Sequence, residues 1–549
     1  MRFFEFNFES NLGNYLEISL FIFHIERELN MYKEIEIKIF PDELENQELI
    51  LVKACAKAKL KVDKLKHWKV IRRSVDARFG RPQYVLRVAL SSNPLIKQSP
   101  DLKSNYKDVS QCEPIIIVGA GPAGYYAALE LLELGFKPIV LERGKDVQAR
   151  RRDLRAIQQF ATVNPNSNYC FGEGGAGTYS DGKLYTRSNK RGNLKKCLQV
   201  LVDHGANDDI LIDAHPHIGS NKLPKIVAGI RETIIKHGGE VHFNTLVNRF
   251  IIKDNICKGV QTSSGTEYIA KAVILATGHS ARDIYNLCFK QGVEIEAKPF
   301  ALGVRIEHDQ SLIDELQYRQ KPREEGLPAA SYSVKCQINK KGVFSFCMCP
   351  GGIIVPAATA PGEIVVNGMS LSKRDSPYSN SGFVTVVDPE HYASLAPKYG
   401  PLAAMEYQKR VEQAVFNQGD GSQSAPAQRL MDFINSKVSN NLPDTSYIPG
   451  VHPGDLNEVL PDYISNNLKE ALKVFGSRMP GYLTNNAQIV ATESRTSSPV
   501  RIPRHKQTGE HIKVSGLFPC GEGAGYAGGI ISAAMDGMNM AQAAALKLN

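Results

Sequence analysis

A run of four apolar residues, Ile115 to Val118, passes directly into GAGPAG and then into a segment where Ala128, Leu131 and Leu132 recur at helical spacing. An apolar run without polar alternation is what a strand covered on both faces of a parallel sheet requires. Gly119 permits the tight turn that ends this strand, Gly121 lets a phosphate approach the backbone, and Gly124 lets helix and strand pack closely. Gly135 ends the helix and Ile139 to Leu141 supply a second short buried strand, which makes a βαβ unit. The helix start, with Ala123 in its first turn, offers unpaired N–H groups and a partial positive charge to a pyrophosphate. Glu142 closes the second strand 18 residues after Gly124, with Arg143 next to it. An acid there suits ribose hydroxyls and disfavours a 2′-phosphate.

This fingerprint alone does not separate NAD from FAD, and distant segments decide. VILATG, ending in Ala276, Thr277 and Gly278, resembles the second characteristic strand of two-dinucleotide-binding flavoproteins. GLFPCGEGAGYAGGIISAAMDG, from Gly516 to Gly537, resembles their C-terminal flavin motif. The resemblance implies a strand ending near Gly521 and Glu522, with the acid on the ribitol, and a helix starting around Gly528, Gly529 and Ile530 whose N–H groups face the flavin. Flavoproteins of this kind normally carry Asp where this chain has Glu522. FGEGGAGTYSDGKLYTR, from Phe171 to Arg187, looks like the loop that approaches the isoalloxazine, with Gly174, Gly175 and Thr178 along the ring and Lys183 neutralising its reduced form or a phosphate, or else reads as a glycine-rich surface loop. Val247 completes the expected cofactor set. The predicted cofactor is FAD, and NAD(P)H is compatible as a transient reductant.

GAGPAG, FGEGGAGTYSDGKL, AHPHIG, FCMCPGG, ESRTSSPVR and GEGAGYAGG together resemble the bacterial FAD-dependent "NAD(FAD)-utilizing dehydrogenase" proteins, related to the FixC flavoproteins. The likeness runs from about Met31 to the C-terminus, and SVDAR at Ser74 to Arg78 resembles that group's small N-terminal module. It implies a flavoprotein fold and a dehydrogenase, without a substrate.

A chain of 549 residues exceeds one ordinary domain. The expected fold is α/β: a Rossmann-like FAD-binding domain with an inserted antiparallel substrate domain and a small α+β N-terminal module. Residues 1–30 read as an extension upstream of a start at Met31. Residues 31–105 form the module, with strands from Tyr32 to Phe40, Trp68 to Arg73 and Tyr84 to Leu90, and a helix carrying Leu49, Leu51, Val52, Cys55 and Ala58. Lys97 to Gln111 is polar and reads as a linker. The FAD-binding domain takes 106–150, 224–292 and 485–549. The inserted domain takes 151–223 and 293–484, with alternating strands at Phe300–Glu307, Ser331–Cys336, Val343–Cys347 and Phe383–Val387.

No candidate for catalysis is decisive. His215 and His217 are either proton donors beside the flavin or turn histidines held by structural hydrogen bonds. Cys347 and Cys349 sit two apart on a predicted strand, so their side chains share a face, and they read either as a redox pair or as buried thiols. Arg305, Arg495 and Arg501 offer guanidinium forks to an anionic substrate or form ordinary salt bridges. No ligand spacing supports a metal site. The reaction expected is hydride transfer between flavin and a small, anionic substrate.

The alternative is an RNA-associated or scaffold protein with a structural flavin, in which Arg72, Arg73, Arg78 and Arg81 engage a polyanion. Nucleic acid is the less favoured partner, because Lys and Arg are spread along the chain despite a net charge of +9. Ten cysteines, several of them isolated in apolar runs, and the absence of an apolar run of membrane-spanning length point to the cytoplasm. The oligomeric state does not follow from the sequence.

Overall fold

The computed structural model describes residues 32–92, 102–186 and 192–549. The N-terminal extension, the start at Met31 and the first part of the expected linker lie outside the described residues.

The chain divides into two compact units, the smaller comprising the residues up to 100 with 211–214 and 324–327. In that unit Tyr32–Ile39, Gln83–Ser91 and His67–Asp76 form an antiparallel sheet with Gln83–Ser91 in the middle. The helix Gln47–Ala58 is capped by Asn46, whose side chain accepts from the Leu49 amide at 3.0 Å. It buries Ile50, Ala54, Cys55 and Ala58, a stripe of helical period. Val52, expected on that face, is 50% exposed because it falls between successive turns of the stripe. Three of the four arginines proposed to meet a polyanion are already paired with carboxylates: Arg73 with Asp213, Arg78 with Asp76, and Arg81 with Asp42 and Glu324.

The larger unit is built on a five-stranded, all-parallel sheet in the order Leu517–Pro519, Val273–Leu275, Pro114–Val118, Lys137–Leu141, Glu240–His242. Ile115 to Val118 and Val273–Leu275 at its centre are buried, as their unbroken apolar sequence requires. The helix Pro122–Leu134 follows the Gly-rich turn and ends at Gly135 in the left-handed region. The terminal helix Ile530–Leu548 packs on it so closely that a Cβ on Gly537 would lie 2.0 Å from the Ala123 carbonyl oxygen. The fold is thus α/β with a Rossmann-like parallel core.

A seven-stranded sheet joins the same unit, in the order Lys335–Ile338, Lys341–Cys349, Tyr378–Val387, Phe300–Asp309, Gln488–Glu493, Ala425–Arg429, Val451–Pro453. All neighbours are antiparallel except the last pair.

Three expectations are corrected. Gln488–Glu493, read with the FAD-binding segment 485–549, belongs to this antiparallel sheet between Phe300–Asp309 and Ala425–Arg429. The strand expected from Ser331 starts only at Lys335, because the Val334 amide donates to the Ser345 hydroxyl instead of a ladder carbonyl. The described part of the expected linker is ordered structure: Leu102, Tyr106 and Val109 are buried, and the Val109 amide donates to the His237 carbonyl at 2.9 Å.

Candidate functional site

The Gly-rich turn sorts its three glycines by what surrounds them. Gly119 has φ +108, and a Cβ there would lie 2.8 Å from the Ala276 carbonyl oxygen. A Cβ on Gly124 would lie 1.9 Å from the Gly119 carbonyl oxygen, so this glycine serves helix–strand packing. Gly121 caps the helix with ordinary backbone angles, and a Cβ there would meet only the Gly175 Cα, at 3.9 Å. It faces a cavity of about 410 Å³, within the usual range for small-molecule sites.

Glu142 and Arg143 line one end of the cavity. The Glu142 carboxylate accepts from the Ala120, Gly144 and Gly172 amides at 2.9, 2.9 and 3.0 Å, and so ties the Gly-rich turn to the loop opposite. Arg143 lies over the Phe171 ring and donates to Asp283 at 2.7 Å.

The opposite loop is organised by Arg150. Its guanidinium is fully buried and donates to the carbonyls of Asn168, Tyr169, Glu173 and Gly175 at 2.8 to 2.9 Å. Five N–H groups in a rigid fork satisfy four carbonyls of an irregular loop that no strand could pair. Gly175, Ala176 and Gly177 then line the cavity. Gly174 and Thr178, expected along the cofactor, do not. The Thr178 hydroxyl donates back to the Glu173 carbonyl at 3.2 Å, and a Cβ on Gly174 would strike it. Both belong to the support behind the loop.

Ala123, Val247, Ala276, Thr277, Gly278, Glu522, Gly528, Gly529 and Ile530 all line the cavity, as expected of a cofactor wall. Gly521 lies just behind, with φ +75 and its amide held by Asp536 at 2.7 Å. Asp536 in turn takes both Nη groups of Arg504. Glu522 accepts from the Gly529 amide at the start of the terminal helix and faces His279 Nε2 at 3.6 Å. His279 was not anticipated, although it directly follows VILATG. Burial lowers its pKa, while Glu522 works in the opposite direction.

Two observations bear on whether a dinucleotide fits. A Cβ on Gly278, Gly528 or Gly529 would meet nothing within 4 Å, so the wall is left open where a ligand's atoms would lie. The buried Thr277 Oγ1 has no hydrogen-bond partner. The cavity also gathers the N-termini of two helices, of 13 and 19 residues, which favour negative charge. The residues fit FAD.

Beyond the helix starts, the wall is made of Asp181, Lys183, Phe346, Cys347, Asn367 and Arg495. Asp181 is 1% exposed and is held by Arg374 at 2.5 Å and by the Ser370 hydroxyl. Lys183 lies 3.6 Å from Asp181 and donates to the Met348 carbonyl. Arg495 sits in a quartet with the partly buried Arg282 and the buried Glu363 and Glu412, bonded to both carboxylates at 2.9 to 3.1 Å. Burial pushes the Glu412 carboxyl up, but Arg282 and Arg495 outweigh it and hold it well below the usual range.

Other sequence candidates fall elsewhere. His215 packs against Tyr185 with the rings tilted by 54° and their centroids 5.0 Å apart. His217 donates from Nε2 to the Ser372 carbonyl at 3.2 Å, and burial followed by Arg374 pushes its pKa down to about 4. Neither histidine is in the cavity wall. Arg305 is fully buried, its fork spent on Glu493, Asn380, Asn367 and the Cys347 carbonyl, so it has nothing left for a substrate. Arg501 is exposed over the Tyr526 ring, outside the wall.

Residues 299–496 match the family described as "FAD-dependent protein, C-terminal domain-like", and residues 31–91 match a domain of unknown function. An uncharacterized protein of Clostridium beijerinckii is 39% identical over 512 residues, covering 89% of this chain and 94% of its own length. The chain belongs to that flavoprotein family. A tRNA uridine 5-carboxymethylaminomethyl modification enzyme of Bacillus mycoides is 27% identical over 176 residues, covering 30% of this chain and 24% of that protein. Among solved structures, CtdE in complex with FAD matches with a TM-score of 0.30 and 13% identity, over 79% of this chain and 85% of that one. A geranylgeranyl bacteriochlorophyll reductase-like protein of Thermoplasma acidophilum matches with a TM-score of 0.32 and 13% identity, over 80% of this chain and 79% of that one. Scores this low say nothing finer about the chain. Among the described residues no helix is long and apolar enough to cross a membrane, and no three His, Cys, Asp or Glu side chains gather as metal ligands.

Proposed function

We propose that the chain is an FAD-dependent oxidoreductase acting on a small molecule. One observation carries this reading: a single cavity runs from the Gly-rich turn and Glu142, past Gly529, to side chains of the antiparallel sheet. Cofactor wall and reaction wall are therefore the same space. Glu142 would hold the adenosine ribose, the helix start at Gly121 the pyrophosphate, and Glu522 with its neighbour His279 the ribitol. Bound FAD would supply two-electron chemistry there. At the reaction end Lys183, with Asp181 3.6 Å from it, is the cation that would meet an anionic substrate. NAD(P)H is a fitting transient reductant of the bound flavin. The ten free thiols suit a reducing compartment such as the cytoplasm.

The test is anaerobic. The purified protein is reconstituted with FAD and mixed with NADH, NADPH and a panel of small organic acids while the flavin absorbance is followed. Rapid bleaching by one compound is the expected result. A protein that stays colourless after incubation with FAD refutes the reading.

A further inference from the structure

The antiparallel sheet brings two sulfur atoms to the reaction end of the cavity in an unusual setting. The strand Lys341–Cys349 loses its register with Tyr378–Val387 between Phe346 and Cys349. At that break Cys347 adopts φ +47, a left-handed conformation that non-glycine residues seldom take and that marks a locally imposed geometry. In a regular strand, residues two apart are separated by roughly 6.6 Å, near the outer limit for a disulfide. The left-handed residue at the register break departs from that regular geometry. The Cys349 thiol, fully buried, donates to the Cys347 carbonyl at 3.2 Å. Cys347 is exposed and lines the cavity.

The surroundings divide the two thiols into unlike partners. Lys183 shares the cavity wall with Cys347, and Arg305 bonds the Cys347 carbonyl from behind the sheet. Cys349, then Lys183 and Arg305, pull the thiol of Cys347 below its ordinary value. Cys349 is pushed up, by its neighbour Cys347 and by burial. Cys347 is thus the accessible member with its pKa lowered, and Cys349 the buried member beside it with its pKa raised, the asymmetry that thiol–disulfide chemistry uses.

We propose that Cys347 and Cys349 form a redox pair that exchanges two electrons with the flavin, a second two-electron store in the same cavity. This rests on the FAD-dependent reading above. In the oxidising direction the Cys349 S–H bond breaks and an S–S bond forms between the two sulfurs. Two electrons and the Cys349 proton pass to the oxidised flavin. In reverse, reduced flavin returns them and the disulfide opens to the Cys347 thiolate and the Cys349 thiol. No other oxidant or reductant enters the balance.

The experiment uses the full-length FAD-loaded protein, oxidised with excess ferricyanide, desalted, and titrated anaerobically with dithionite. Wild type is expected to take up about four electrons per FAD, because the flavin and the disulfide each accept two. C349A and C347S are each expected to take up about two. In parallel, the oxidised and reduced proteins are alkylated and digested without reductant. The peptide containing both cysteines should be cross-linked within itself in the oxidised sample and doubly alkylated in the reduced one. Uptake of two electrons by wild type, with both cysteines alkylated in the oxidised protein, overturns the redox pair while leaving the flavoprotein reading intact. Absence of bound FAD overturns both. Flavin content and far-UV circular dichroism of the two variants identify a folding defect, and the wild-type electron count and peptide map then decide.

Discussion

Two glycines three residues apart predict opposite phenotypes. In Gly124→Ala the new Cβ starts 1.9 Å from the Gly119 carbonyl oxygen, a backbone atom that cannot rotate away. The helix Pro122–Leu134 or the end of Pro114–Val118 must move by about 1 Å or more to restore contact distance. Overpacking of this kind costs about 1–3 kcal/mol, and a clash with backbone belongs at the upper end. In Gly121→Ala the φ of −79° suits alanine, and the Cβ points at open space with one neighbour at 3.9 Å. The fold should lose no more than about 1 kcal/mol, the difference between Gly and Ala as a helix cap.

That methyl group, however, occupies the place where a pyrophosphate would approach the helix start. FAD affinity should fall roughly ten- to a hundredfold, or about 1.4 to 2.8 kcal/mol. The assay is denaturant unfolding without and with FAD at about a hundred times the wild-type Kd, alongside fluorescence titration of the cofactor. Added FAD should stabilise wild type by about 2.7 kcal/mol, and a variant with hundredfold weaker binding by only about 0.4. Gly121→Ala with wild-type affinity, or Gly124→Ala as stable as wild type, refutes this assignment of the turn.

Arg150→Met leaves four loop carbonyls without donors, so it should cost about 3 kcal/mol in denaturant unfolding and weaken FAD binding, and Arg150→Lys should restore little because an ammonium lacks the fork. His308 is buried with Nε2 donating to the Tyr482 carbonyl and Nδ1 unpartnered, and burial lowers its pKa to about 4. A depressed histidine pKa means the unfolded chain binds the proton first, so this group removes stability as pH falls from about 6.5 to 4. The loss reaches roughly 3 kcal/mol, and chemical unfolding at stepped pH should show a shallower slope for His308→Phe. Glu412→Gln withdraws a carboxylate from Arg282 and Arg495 and should destabilise by about 3–5 kcal/mol in the same assay.

What the sequence disclosed was local. A strand, a turn and a helix lie consecutively in GAGPAG and its flanks, and each glycine answers to a neighbour within a few positions or to the paired strand. The reaction end was hidden because it is assembled from afar: Asp181 meets Ser370 and Arg374, and Arg495 meets Glu363 and Glu412. No spacing along the chain encodes such meetings. Gln488–Glu493 was misplaced for a related reason, since six buried residues in a row look alike in a parallel and in an antiparallel sheet. Thr178 shows the limit within a motif, where a hydroxyl beside a glycine loop turned inward to its own backbone. Strand alternation placed Cys347 and Cys349 on one face, and the register break sent one to the cavity and kept the other buried.

The order of strands in the parallel sheet carries a consequence in time. Leu517–Pro519 pairs beside Val273–Leu275, and Ile530–Leu548 lies against Pro122–Leu134, the helix that begins at the cofactor turn. On a ribosome the turn is made early and its covering helix about four hundred residues later. Throughout that interval the half-built site is uncovered, so the nascent protein must keep its most apolar strands from other partners. A release that comes before Pro519 yields a chain with the dinucleotide signature and no closed place to put the dinucleotide.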